Sequence, residues 1–173
     1  MPKYDENQAE CLIYTFKDGL LSKVAHDLKI KVGRVSVDVQ PNALRAEFDT
    51  RSLRVLTPMK DGQENPSALD DGDKAKIATQ IQSDVLHSEQ HPSAVFVSRA
   101  LRPRADGGYD VEGDLTLHGV TKPISTSTKK QGDRQVASLD LHQPDFGITP
   151  YKAMMGTLKI KPDVTVVLSI PLA

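Results

Sequence analysis

Five histidines, His26, His87, His91, His118 and His142, a single cysteine, Cys11, and the pair Asp49 and Ser52 are the groups that could do chemistry in this 173-residue chain. A zinc centre needs three or four converging ligands, and the histidines form no H-x-H or HExxH motif; a cluster assembled only in space stays open. Asp49 and Ser52 would need a histidine to make a hydrolase, but there is no G-x-S-x-G elbow, so they read as hydrogen bonds to a strand end. Asp106-Gly107-Gly108 has no helix behind it and is a hairpin tip rather than a phosphate loop. With one cysteine no intrachain disulfide can form.

Two histidines stand out by position. His26 shares the apolar parity of Val24 and Leu28, so its ring points where a ligand head, a metal or a neighbouring strand would satisfy it. His118 ends a strand beside Gly119, with Thr116, Thr121 and Lys122 close in sequence; it reads first as a turn-stabilising residue at a rim and second as a contact for a polar head group.

Such side chains need elements to aim them. Val111, Leu115 and Leu117 alternate with Glu112, Asp114 and Thr116, the period of a strand with one apolar and one wet face. Residues 10–17 read as a first strand with Leu12, Tyr14 and Phe16 together. From Val24 to Val32 the even positions, Val24, His26, Leu28, Ile30 and Val32, share a face, and at Gly33 the parity flips to Val35, Val37 and Val39. A strand changes face only through a bulge or bend, which glycine permits. Leu44, Ala46 and Phe48 follow after Gln40-Pro41-Asn42. Residues 54–72 carry Pro58, Gly62, Pro66 and Gly72 without a period and read as a long loop, of which 54–69 could gate a mouth together with 148–156. Asp70 to Asp73 supply caps and first-turn acids for a helix from about Lys74 to Val85. Strands over 94–101, 109–117, 124–128 and 136–141 come next, with tips at Asp106-Gly107-Gly108 and Lys130-Gln131-Gly132-Asp133. A final segment, 158–172, is divided at Pro162-Asp163. The count is eight or more strands and one helix, joined mostly by short turns and therefore antiparallel.

The motif Gly113-Asp114-Leu115-Thr116-Leu117-His118-Gly119-Val120-Thr121-Lys122 resembles the signature of the YceI-like family of polyisoprenoid-binding, lipocalin-like proteins. Ala25-His26-Asp27, Phe48-Asp49-Thr50-Arg51-Ser52-Leu53, His91-Pro92-Ser93-Ala94-Val95-Phe96 and Pro144-Asp145-Phe146-Gly147-Ile148 resemble its further steps, in order. The resemblance implies an all-β fold, an eight-stranded antiparallel, elongated lipocalin-like β-barrel with one short α-helix. It spans 10–173, after a polar N-terminal tail of residues 1–9.

The expectation is a non-enzymatic carrier that takes an isoprenoid or fatty-acid-like lipid into the barrel and uses no cofactor or metal. Val24, His26, Leu28, Phe48, Phe96, Leu115, Leu117, His118, Phe146 and the unbranched Met154 are its candidate contacts. The alternatives are a small metal-dependent or hydrolytic enzyme using His26, His118 and His142, and a ligand-free interaction module. Lys and Arg total 22 against 23 acids, a net charge of -1, which gives no basic face for nucleic acid. No apolar run nears the ~20 residues of a membrane span and the first residues lack a signal's apolar core. The expected location is cytoplasmic, or periplasmic if a leader has been removed; transient membrane contact and a homodimer are compatible with it.

Overall fold

The computed structural model describes residues 2–18, 26–153 and 158–171. Its strands are β1 (Lys3–Tyr4), β2 (Glu10–Thr15), β3 (Asp27–Val32), β4 (Val35–Gln40), β5 (Ala43–Asp49), β6 (Leu53–Lys60) and β7 (Gln63–Glu64). After helix α1 (Asp71–Gln80) come β8 (Ser93–Pro103), β9 (Tyr109–Leu117), β10 (Val120–Gln131), β11 (Arg134–His142), β12 (Lys152–Ala153), β13 (Leu158–Lys159) and β14 (Asp163–Pro171). Twelve of them form one antiparallel sheet in the order β1-β4-β5-β8-β9-β10-β11-β14-β2-β3-β6-β7, and β12 pairs with β13.

The order explains how the sheet curls. β3 and β4 follow one another in the chain yet lie near opposite ends of the ladder, and so do β5 and β6. They are the halves of one long hairpin, paired as β4 with β5 and as β3 with β6, and bent at 33–34 and 50–52. The flip at Gly33 is this bend: Leu28, Ile30 and Val32 are buried before it and Val35 and Val37 after it. The corner is held by the Gly33 amide donating to Ser52 O at 2.9 Å, the Arg34 amide to Ser52 Oγ at 2.9 Å, and Ser52 Oγ to Asp49 O at 2.6 Å. Asp49 Oδ1 also accepts from the Arg51 amide at 2.9 Å. Asp49 and Ser52 thus serve the backbone.

The ladder has twelve segments where eight strands are expected. The difference lies in the two bent strands, each counted as two segments, and in β1 and β7, which are two residues long. Residues 54–60 are not loop but strand β6, with Leu53, Val55 and Thr57 buried. Pro58 disguises it, yet an edge strand tolerates a proline, and beyond β6 stands only the short β7. The helix starts at Asp71, earlier than expected, because Asp70 is the cap and accepts from the Asp73 amide at 2.7 Å. It runs into a π turn over Ile81–Val85. Residues 2–9 are tied to the sheet: β1 pairs with β4, Tyr4 and Ala9 are buried, and Gln8 O accepts from Arg134 at 2.6 Å.

A Cβ on Gly33 would sit 2.6 Å from Ser52 O, the atom that its own amide bonds. Gly33→Ala is expected to cost about 1–3 kcal/mol, read as a lower midpoint in urea; an unchanged midpoint would show that the corner yields.

Candidate functional site

The inward parities of the ladder enclose a cavity of about 390 Å³, within the range of ligand sites rather than of packing defects. β3 contributes Leu28, Ile30 and Val32; β5 contributes Leu44, Ala46 and Phe48; β9 contributes Val111, Leu115 and Leu117. β11 adds Gln135, Ala137, Leu139 and Leu141, and β14 adds Val164, Val166, Leu168 and Ile170. Ile77, Ile81 and Val85, the helical stripe visible in the sequence, close one wall, with α1 packed on β6. Phe96 of β8 lies over Gly113: a Cβ there would come within 2.5 Å of the ring, so the glycine is what lets the ring lie flat against β9.

Few polar groups reach this lumen, and most of them are already satisfied. Thr128 Oγ1 donates to Gln135 Oε1 at 2.6 Å, Gln135 Nε2 donates to Gly107 O at 2.8 Å, and the Tyr109 amide donates to Thr128 Oγ1 at 3.0 Å. Asp49 meets Arg34 at 3.1 Å and Arg51 at 3.2 Å. Burial pushes its carboxyl up, but the hydrogen bonds and charge of Arg51 and the charge of Arg34 outweigh that and hold it below the usual carboxylate range. Burial, aided by the Glu10 charge, pushes the Cys11 thiol up to about 12. It is therefore a small apolar wall residue and no nucleophile at neutral pH.

Of the candidate contacts, His26, Leu28, Phe48, Phe96, Leu115, Leu117 and Phe146 all face this one space. Val24 and Met154 lie outside the described residues. His118 is not part of the lining. On β2 it is Cys11, Ile13 and Thr15 that line the lumen; both parities of Cys11-Leu12-Ile13-Tyr14 are apolar, so alternation groups Leu12, Tyr14 and Phe16 without telling which face turns inward. Gln135, Ala137 and Thr126 were missed; the alternation from Gln135 to Leu141 carried the signal for two of them.

His118 instead joins a cluster outside the lumen. It and Gly119 form the turn between β9 and β10 with φ of 55° and 74°, the positive pair that a tight hairpin turn demands. Its ring lies 4.6 Å from that of His91 and 5.4 Å from that of His87. Nδ1 donates to Phe146 O at 3.2 Å, and Nε2 is buried without a partner among the described residues. Burial, then the charges of His91 and His87, lower its pKa, against the opposing pull of the Phe146 carbonyl. Among the described residues no group of three or more His, Cys, Asp or Glu is placed to hold a metal ion. The three histidines of the enzyme alternative lie in separate surroundings: His26 in the lumen, His118 in this cluster, and His142 on the surface 2.5 Å from Asp163.

A YceI-like domain model matches residues 5–172. A UPF0312 protein of Pseudomonas putida is 35% identical over 88 residues, 45% of this chain and 46% of that protein. One from Shewanella denitrificans is 28% identical over 116 residues, 59% of this chain and 61% of that protein. The chain spans about half the length of the curated relatives it matches. Among solved structures, BcnA of Burkholderia cenocepacia superposes with a TM-score of 0.67 at 17% identity, covering 95% of this chain and 96% of that one. A polyisoprenoid binding domain from Saccharophagus degradans does so with 0.63 at 14%, covering 99% and 97%. A mutant YceI protein from Campylobacter jejuni, with a monobromobimane guest, gives 0.59 at 14%, covering 88% and 91%. At these identities the likeness is one of fold.

The depressed His118 pKa has a pH signature. The folded state holds the proton less tightly than the unfolded chain, so acidification through the ordinary histidine value protonates the unfolded state first and stability falls; above that value this group costs nothing. The melting temperature is expected to drop between about pH 7.5 and about pH 5.5, and to drop less in His118→Asn, which tolerates the left-handed turn. Parallel profiles would assign the acid sensitivity elsewhere.

Proposed function

The chain belongs to the YceI-like family, and on that premise we propose that its lumen binds a long-chain amphiphile, a polyisoprenoid or a similar lipid, and carries it without chemical change. The observation that carries this reading is the hollow itself. Natural interiors pack as densely as organic crystals, and a largely apolar space of about 390 Å³ leaves its walls short of van der Waals partners until a guest fills it.

The energetics favour an extended oily chain. Each buried methylene contributes roughly 0.8 kcal/mol, while micromolar affinity corresponds to about 8 kcal/mol net. Several isoprene units supply that after the costs of association, and cavity depth then selects chain length. The resemblance in fold to a polyisoprenoid binding domain supports the same class of guest. The non-enzymatic part of the reading is supported by the protonated Cys11 thiol and by the separation of His26, His118 and His142.

Solvent extraction of the purified protein, followed by mass spectrometry, is expected to release a hydrophobe in near-stoichiometric amount. After delipidation, a fluorescent polyene fatty acid should bind the wild type. Ala137→Trp, which fills the lumen from β11, should weaken that binding by at least about tenfold, or 1.4 kcal/mol, with the circular dichroism spectrum unchanged. Equal binding by the filled variant would rule the lumen out as the site.

A further inference from the structure

Two buried side-chain polar atoms among the described residues lack a hydrogen-bond partner, Thr15 Oγ1 and His118 Nε2, and of these two residues only Thr15 lines the lumen. A buried hydroxyl is ordinarily paired, and leaving one unpaired is costly. The other lumen threonines follow the rule: Thr50 donates to His91 O at 2.7 Å, Thr126 to Ser138 O at 3.2 Å, and Thr128 to Gln135 at 2.6 Å. Thr15 therefore keeps an unused donor and acceptor on a side chain that lines the lumen.

Its neighbours extend the polar spot. Thr15 pairs with Leu28 across the β2–β3 ladder, so His26, two residues back and also in the lining, stands diagonally across from it on the same face, where side chains reach one another. Two residues beyond Thr15, Lys17 bridges to Ile160, whose amide donates to Tyr151 O at 3.0 Å, and Tyr151 lines the lumen as well. The register gathers a hydroxyl, an imidazole and a phenol, each able to donate or accept without charge, where β2 ends. Gln135, by contrast, pairs with Ile170 on β14, one step past the Ser169–Glu10 pair at the start of β2. That end lies about 20 Å from Thr15 along the strand, and its polar groups are bonded to one another.

We infer that the lumen has a head end and a tail end: an uncharged oxygen-bearing head group, an alcohol or carbonyl, hydrogen-bonds Thr15 with His26 and Tyr151 beside it, and the hydrocarbon tail runs toward Gln135. The inference rests on the carrier reading and adds orientation and head-group class to it. It explains why one end of an apolar tube keeps an unsatisfied hydroxyl that a valine of the same shape would remove.

The test compares geranylgeraniol with the deoxygenated hydrocarbon of the same branching, each displacing a fluorescent polyene from delipidated protein. The wild type should prefer the alcohol by about tenfold. Thr15→Val should abolish that preference by weakening the alcohol alone, and Thr15→Ser should keep it. An unchanged preference in Thr15→Val, or equal loss for both guests, overturns the oriented head site while the carrier reading stands. Failure of the wild type to take up either guest overturns the carrier reading itself.

Discussion

A sheet that wraps around a hollow must turn a corner without stranding its backbone amides, and here that turn depends on how closely Gly33 approaches Ser52. The Gly33 amide, the Arg34 amide and the Ser52 hydroxyl exchange bonds across the bend, so the long hairpin passes from one end of the ladder to the other with its polar groups paired. A side chain at residue 33 would occupy the place of the carbonyl that makes this possible. Everything that faces inward on β3 and β4, and on β5 and β6, takes its direction from this corner.

Edges that the corner leaves open are covered. β6 carries β7 and has α1 packed on it, and β4 carries β1, so neither strand offers a long bare edge for pairing with another chain. The same coverage completes the wall: the helix lends Ile77, Ile81 and Val85 to the lumen. Backbone satisfaction and cavity closure are therefore one arrangement, and the interior stays hollow because opposed walls are held apart by the ladder rather than by side chains filling the middle.

Where one parity was apolar and the other charged, as in Leu28 to Val32 or Val111 to Leu117, the sequence was readable down to the residues that face the lumen. It failed where both parities were greasy, in Cys11 to Tyr14, and where turn-forming residues sat inside a strand, as Pro58 does in β6. The His87, His91 and His118 cluster was invisible for another reason: loop closure brings together residues 27 or more positions apart, from His91 to His118, and no local period reports that. The Thr15 hydroxyl was equally hidden, since being unsatisfied is a property of the whole surrounding shell.

Apart from Thr15, His26 and Tyr151, the groups in this chain that could do chemistry are silenced in the cavity or stand outside it. The thiol in the lumen is held protonated by burial, the carboxylate that reaches it is neutralised by two arginines, and the histidine cluster stands outside. Hydrogen bonds join the two regions: His118 bonds the backbone carbonyl of Phe146, whose ring is buried and lines the lumen, and Thr50 of the lining donates to His91 O. A polar contact outside the lumen therefore helps to position an apolar wall residue. A wall of this kind interacts through dispersion and the exclusion of water.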